Sequence, residues 1–210
     1  MISICITQYQ RSFMLPEFAK CTQRIKDVEV IVADWDDIAY PAGWEVVPMA
    51  SAFSRGRGLN AAAEHASHEK LFFCDIDCLF RPQLFDEWDG VNPYFPIMYS
   101  LGAYETAERF WQCYDAGIEP HKSRFHGNTQ GGWRPSSYGM VLTTKANHNK
   151  TGGWIEKESW GKEDEWYYEK CEDFNLNPYR YHSPNLVHRW HGNRLEYRDK
   201  PIPQHIQDVL

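Results

Sequence analysis

Residues 71–77 of this chain have the sequence LFFCDID. The apolar part is typical of a buried strand, and the carboxylates of Asp75 and Asp77 follow at its carboxyl end. Open α/β sheets bind their ligands at that end of the strands. Two carboxylates are costly there unless a cation lies between them, and a divalent cation that carries a diphosphate would suit. The alternative is a strand that ends in an ordinary solvated turn.

The sequence around this strand predicts a sheet. Two earlier strands are expected at 2–7 and 28–33, with a helix at 15–25 between them, and a second helix is expected from Ser54 to about residue 66. Alternating strands and helices predict an α/β fold in which a mostly parallel central sheet is flanked by helices. The first strand is not followed by a glycine-rich phosphate-binding sequence, which argues against a dinucleotide-binding fold or a P-loop.

Composition narrows the function classes. The chain has 210 residues, of which 42% are hydrophobic and 24% charged, as in globular proteins. A net charge of -7 argues against a surface that coats nucleic acid. The six cysteines include no Cys-x-x-Cys pair. The sequence has no signal-like start and no membrane-length apolar run, so we expect a soluble, cytoplasmic protein with reduced thiols.

Three other segments carry chemically useful side chains. Residues 53–60, FSRGRGLN, place two arginines in the first turn of the predicted second helix, where a phosphate is favoured. Residues 159–165, SWGKEDE, open another helix with three acidic residues, one of which could act as a general base. His188 and His191 could share one face of a turn and bind a transition metal. Solvated helix starts and surface histidines are the alternatives for each segment alone.

Together and in this order, the segments resemble the metal-dependent GT-A glycosyltransferases, above all the β-1,4-galactosyltransferase type and the galactosyltransferase domains of chondroitin-polymerising enzymes. Residues 53–60 are similar to that family's Phe-Asn-Arg-Ala-Lys-Leu-Leu-Asn, residues 75–77 match its Asp-x-Asp, and residues 152–164 resemble its Gly-Phe…Trp-Gly-Gly-Glu-Asp. Lys162 stands where the family has a glycine. The resemblance covers residues 2–191.

The resemblance implies a single GT-A domain with a Rossmann-like sheet over residues 1–210. Residues 1–80 would form the nucleotide-sugar-binding half, which ends in the Asp-x-Asp. Residues 81–193 would form the acceptor and catalytic half, and residues 194–210 a C-terminal tail.

The resemblance also implies roles for individual residues. Asp164 would be the catalytic base and Glu163 an acceptor-binding carboxylate. The metal ligands would be Asp75, Asp77, His188 and His191, with Mn²⁺ favoured and Mg²⁺ as the alternative. The nucleotide and donor sugar would contact Thr7, Arg11, Asp34, Phe53, Arg55, Asp75 and Trp160, the last in a loop that closes over the donor.

The implied activity is metal-dependent, inverting transfer of a sugar of the galactose, N-acetylgalactosamine or glucose type from a UDP-sugar to an acceptor hydroxyl. Asp164 favours inversion because it supplies a base. Two alternatives stay open: a retaining GT-A transferase similar to the polypeptide N-acetylgalactosaminyltransferases, and a nucleotide-sugar- and metal-binding protein without transfer activity. The acceptor could be a glycan, a lipid-linked sugar, a protein or a modified nucleic acid, and no stable membrane insertion is expected.

Overall fold

The structure is a computed structural model that describes residues 1–103, 105–118, 131–158 and 161–191. Its strands are β1 (Ile2–Gln8), β2 (Val28–Asp34), β3 (Glu45–Pro48), β4 (Lys70–Asp75), β5 (Cys78–Phe80), β6 (Ile97–Ser100), β7 (Gly132–Trp133), β8 (Val141–Thr144) and β9 (His182–His188). Its α-helices are α1 (Leu15–Thr22), α2 (Arg55–His65), α3 (Ala107–Asp115), α4 (Lys145–Thr151) and α5 (Glu163–Asp173). Short 3₁₀ helices span Ser12–Met14 and Pro82–Glu87. No described helix is both long and apolar enough to cross a membrane.

The main sheet has the strand order β3-β2-β1-β4-β8. The first four strands are parallel and β8 runs antiparallel to β4, which confirms the predicted α/β class with a mostly parallel sheet. In this register Thr7 lies beside Asp75 and Gln8 beside Asp34. The carboxyl ends of β1, β2 and β4 therefore meet at one edge, which is where the sequence predicted a ligand.

Helices cover both faces of the main sheet. Since successive side chains of a strand point to opposite faces, one strand contributes to the core on each side. Ile4 and Ile6 of β1 belong to a core cluster that also contains Phe18 of α1. Cys5, between them, belongs to a second cluster with Leu59 of α2. Burial on both faces accounts for the nearly continuous apolar run of β1.

A second sheet brings the C-terminal strand to the Asp-x-Asp. Its order is β5-β9-β6-β7, and β5 begins directly after the turn that ends β4. Cys78 of β5 pairs with His188 at the end of β9. The Arg189 N–H also donates to the Asp77 carbonyl at 2.9 Å. These pairings bring His188 close to Asp77, although the two residues are more than a hundred positions apart in the sequence.

Several element bounds differ from the sequence prediction. The helix expected at 15–25 ends at Thr22, and α4 and β5 were not predicted. A strand is expected at 94–100, and Pro96 would favour an edge position for it. The strand β6 instead lies between β9 and β7, and Pro96 precedes it and so costs it no ladder hydrogen bond. The predicted tail at 194–210 lies outside the described residues.

Candidate active site at the sheet edge

Three of the four predicted metal ligands converge. The ligand atoms of Asp77, His188 and His191 all lie within 4.8 Å of one another. The Nε2 atoms of His188 and His191 are 3.7 Å and 3.2 Å from Oδ2 of Asp77. Asp77 lies in the turn between β4 and β5 and is only 2% exposed, so its carboxylate faces the protein interior rather than bulk water.

The chemistry of this group fits a divalent metal ion. A carboxylate oxygen and two imidazole nitrogens form a donor set that first-row transition metals accept. Burial, together with the positive charge of Arg134, holds the pKa of His188 well below its ordinary value. The imidazole is therefore neutral at physiological pH, as a metal ligand must be. Arg11 forms an ion pair with the same Asp77 carboxylate.

Asp75 lies outside this group and faces an arginine. Its Oδ1 accepts a hydrogen bond from Nε of Arg55 at 2.7 Å. Burial opposes ionisation of Asp75, but the Arg55 guanidinium outweighs burial and holds the pKa of the carboxyl below its ordinary value. A metal-binding role for Asp75 stays a prediction.

Arg55 is buried in the site and contacts several of its residues. Its Nη2 donates to the carbonyl of Gly139 at 2.6 Å, and its guanidinium lies 5.1 Å from the ring centroid of Trp154. Ser54 caps α2 by accepting from the Arg57 N–H, and this fixes Arg55 in the first helical turn. Nη1 of Arg55 is buried and has no hydrogen-bond partner among the described residues. Such an atom indicates a place for a polar ligand group.

A pocket opens at the carboxyl ends of β1 and β4. It is lined by Thr7, Tyr9, Arg11, Phe53, Arg55, Asp75 and Ile76. The lining contains every predicted nucleotide-binding residue except Asp34 and Trp160. Asp34 ends β2, where its carboxylate accepts the N–H groups of Asp36 at 3.0 Å and Ile38 at 3.3 Å and so shapes the next loop. Trp160 lies outside the described residues.

Two aromatic residues at this pocket were missed by the sequence analysis. Tyr9 stacks on Phe53 with ring centroids 4.8 Å apart and planes 15° apart, and Trp35 meets the same ring edge-on at 4.9 Å. Tyr9 is 39% exposed, so a flat apolar face reaches the pocket mouth. Its place in the sequence could have identified Tyr9, because it directly follows β1, at the carboxyl end of a strand that was expected to border the ligand site.

The predicted catalytic pair begins α5 on the other side of Arg55. Glu163 is 5% exposed, and its Oε2 has no hydrogen-bond partner among the described residues. Oδ2 of Asp164 accepts the Tyr138 N–H at 3.4 Å. Arg55 interacts electrostatically with Asp164 and Glu163 as well as with Asp75. One guanidinium therefore interacts both with a carboxylate that lines the pocket and with a second pair of carboxylates at the start of α5.

Comparison with known proteins gives a consistent family. Residues 4–200 match the sequence profile of the family described as chondroitin N-acetylgalactosaminyltransferase. Human chondroitin sulfate N-acetylgalactosaminyltransferase 2 is 28% identical over 159 residues, which are 72% of this chain and 29% of that protein. The chain thus spans less than a third of the length of this relative.

Solved structures show the same fold. The catalytic domain of Drosophila β1,4-galactosyltransferase 7, in complex with xylobiose, superposes with a TM-score of 0.58 at 16% identity, covering 100% of this chain and 79% of that one. A mannosyltransferase from Pyrobaculum calidifontis, in complex with GDP-Man and Mn²⁺, superposes with a TM-score of 0.56 at 14% identity, covering 90% and 56%. These similarities confirm the predicted GT-A fold.

Proposed function

This chain belongs to the chondroitin N-acetylgalactosaminyltransferase family, and from that premise we propose that it is a metal-dependent, inverting glycosyltransferase that uses a UDP-sugar. The observation that carries the proposal is the group of Asp77, which is buried, and the partly exposed His188 and His191, next to a pocket whose lining includes the rings of Tyr9 and Phe53. A site that only bound a metal would not need the pocket. Among the galactose, N-acetylgalactosamine and glucose donors, the family description favours UDP-N-acetylgalactosamine.

We propose Mn²⁺ as the metal, held by Asp77, His188 and His191, with Mg²⁺ as the alternative. Two imidazoles favour Mn²⁺ because Mg²⁺ prefers oxygen ligands and retains its water. The mannosyltransferase of the same fold was solved with Mn²⁺. A cation at this group would supply positive charge for the departing diphosphate.

The nucleotide would be held by the residues of the pocket. The ring of Phe53 offers a stacking surface for the base, and the guanidiniums of Arg11 and Arg55 offer charge and hydrogen bonds to phosphate oxygens. The Nη1 of Arg55, which has no partner among the residues that the structure describes, would find an acceptor there. Asp75 supports this arrangement by holding Arg55 through Nε.

In the proposed reaction Asp164 removes the proton from the acceptor hydroxyl while that oxygen attacks C1 of the donor sugar. The new C1–O bond forms as the bond between C1 and the diphosphate oxygen breaks, so a single displacement inverts the anomeric centre. Glu163, whose Oε2 has no hydrogen-bond partner within the described part of the chain, is suited to accept hydrogen bonds from sugar hydroxyls. We propose a glycan acceptor on the strength of the family description.

The first test is binding of UDP and UDP-N-acetylgalactosamine by calorimetry, with and without Mn²⁺. We expect nucleotide binding that depends on Mn²⁺ and on the carboxylate of Asp77. Asp77→Ala should abolish the Mn²⁺ dependence, whereas Asp86→Ala, which changes an exposed aspartate of the second 3₁₀ helix, should leave it intact. Equal UDP affinity of Asp77→Ala and the parent protein would contradict the metal assignment.

The second test is turnover with a chondroitin oligosaccharide as the acceptor. The anomeric configuration of the product, read by NMR, distinguishes inversion from retention. Asp164→Asn should retain Mn²⁺-dependent UDP binding but lose transfer. Full transfer by that variant would exclude Asp164 as the base, and binding without turnover in the parent protein would favour a nucleotide-sugar-binding protein instead.

A further inference from the structure

Residues 135–139, here called the bridging segment, connect the two sides of the site. At one end the Gly139 carbonyl accepts a hydrogen bond from Nη2 of Arg55. The Nε of the same arginine donates to Oδ1 of Asp75. One residue earlier, the N–H of Tyr138 donates to Oδ2 of Asp164. The bridging segment thus touches the nucleotide side through a carbonyl and the proposed base through an amide. Among the described residues, the Tyr138 amide is one of two N–H groups that bind the Asp164 carboxylate, the other being that of Glu165, which donates to Oδ1 at 3.0 Å.

Arg180 holds the bridging segment through two hydrogen bonds and one ring contact, here together called the clamp. Its Nη1 donates to the Pro135 carbonyl at 2.8 Å and its Nη2 to the Ser137 carbonyl at 2.6 Å. Its guanidinium also lies 3.7 Å from the ring centroid of Tyr138. The same side chain therefore contacts three of the five residues of the segment.

The backbone on either side of Arg180 is held by hydrogen bonds to a neighbouring segment. Arg180 lies between Tyr179 and Tyr181, whose carbonyls accept the N–H groups of Phe95 and Ile97, each at 2.9 Å. The Tyr138 ring also packs against Tyr168 of α5, with centroids 4.9 Å apart. The helix that carries Asp164 and the segment that binds it are therefore held together by one stack of side chains.

We infer that Arg180 is a positioning residue that holds the bridging segment in place and, through the Tyr138 amide, orients the Asp164 carboxylate. Arg180 is not among the residues that line the pocket; its hydrogen bonds go to the bridging segment, and its charge also interacts with the Asp164 carboxylate. The bond that it supports is long, 3.4 Å between Tyr138 N and Asp164 Oδ2, and a displacement of a few tenths of an ångström would break it. The inference rests on the proposed role of Asp164 as the base.

A guanidinium is needed because the clamp uses two parallel donors and a flat face at once. Lysine keeps the charge but offers a point donor that cannot bind both carbonyls and cover the Tyr138 ring. We therefore expect Arg180→Lys to lower kcat by about tenfold, and Arg180→Met by about a hundredfold, the loss typical of a catalytic group misplaced by about 1 Å. KM for the UDP-sugar and the Mn²⁺-dependent affinity for UDP should change by less than about twofold because the pocket is untouched.

Arg81→Met is the matched control. Arg81 is also a partly buried arginine that stacks on an aromatic ring, with its guanidinium 5.6 Å from the centroid of Trp111. It also donates two hydrogen bonds to Oδ1 of Asn185, at 3.0 Å and 2.7 Å, and pairs with Asp115. None of these partners belongs to the bridging segment. We expect Arg81→Met to lower the unfolding temperature without lowering kcat.

The experiment measures kcat, KM for UDP-N-acetylgalactosamine, calorimetric UDP affinity and thermal unfolding for the parent protein, Arg180→Lys, Arg180→Met and Arg81→Met. A fall in kcat confined to the Arg180 variants, with UDP affinity retained, supports the inference. An unchanged kcat, an equal fall in Arg81→Met, or a loss that resides in UDP affinity overturns it. If Arg180→Met does not fold, Arg180→Lys alone decides between these results.

An Asp164→Asn background separates this inference from the proposed function. Full transfer by Asp164→Asn alone counts against the base assignment, whatever the Arg180 variants do. Where Asp164→Asn is impaired, adding Arg180→Lys should lower its residual turnover by less than about twofold, because residues that act as a unit are not additive. A further fall of the same size as in the parent protein would show that Arg180 acts by another route.

Discussion

His148 gives the protein a pH-dependent stability whose size follows from the structure. The side chain lies beneath the site in α4, 5% exposed, with its ring centroid 4.9 Å from that of Phe73 and its Nδ1 3.1 Å from the Tyr167 hydroxyl. Burial, with the positive charges of Lys170 and Lys145, lowers its pKa from 6.5 to about 4. The folded protein therefore holds His148 neutral at a pH at which the unfolded chain already binds a proton.

The direction of the effect follows from this difference. Above pH 6.5 the imidazole is neutral in both states and contributes no pH dependence. Between pH 6.5 and about 4 the unfolded state binds one proton more, so stability falls as the pH is lowered. At about 1.4 kcal/mol for each pH unit, the free energy of unfolding should drop by about 3 kcal/mol across this range.

His148→Gln tests the effect because glutamine has a similar reach, can hydrogen-bond the Tyr167 hydroxyl and does not titrate. We expect urea unfolding to show that the parent protein loses about 3 kcal/mol more than His148→Gln between pH 7 and pH 4. Asn149→Gln, which exchanges one non-titrating side chain for another at an exposed position of the same helix, is the control and should keep the parent pH dependence. Parallel stability curves for His148→Gln and the parent protein would show that His148 does not cause this pH dependence.

Three further predictions concern the nucleotide side of the site. Gly56→Ala should destabilise the protein by about 1–3 kcal/mol in urea unfolding although alanine is the better helix former, because its Cβ would lie 2.1 Å from the Ile155 carbonyl oxygen; an unchanged or higher midpoint would contradict this. Arg55→Lys should weaken Mn²⁺-dependent UDP binding by about tenfold in calorimetry, since lysine cannot bind Asp75, Gly139 and a phosphate in one plane, and parent-like affinity would remove Arg55 from the pocket. Phe53→Ala should weaken UDP binding by about 1–3 kcal/mol through lost base stacking but leave Mn²⁺ binding, followed by electron paramagnetic resonance, unchanged, and a parallel loss of both would point to misfolding instead.

Local sequence patterns were enough to predict the framework of the site. Apolar runs located β1, β2 and β4, and parallel pairing then required their carboxyl ends to meet, which placed Thr7 beside Asp75. The resemblance to a known family supplied His188 and His191, and the structure brings both to Asp77. The strand predictions succeeded because each depended on a pattern within a few residues, whereas the metal-binding role of the two histidines stays a prediction.

Contacts between distant segments escaped the same analysis. No period connects Arg55 to Asp75, or Arg180 to the bridging segment, because such contacts depend on how helices and strands pack in three dimensions. Helix α4 was missed for another reason: its sequence, KANHNKT, has no apolar periodicity. Its signals are the side chain of Thr144, which accepts the Asn147 N–H at 3.0 Å, and Gly152, which ends the helix at a φ of 74°.

The buried charges at the sheet edge are best understood as pairs that serve two purposes. A buried carboxylate without a partner is strongly destabilising, and here the buried Asp77 is paired with Arg11, while the partly buried Asp75 is paired with Arg55. Both arginines also line the pocket, where a diphosphate would be their natural partner. The carboxylates thus orient the two guanidiniums before any anion arrives, which lowers the ordering cost of binding. The Asp-x-Asp, for which the sequence predicts contacts with a metal and the donor, is in the fold also paired with the two arginines that would bind the nucleotide.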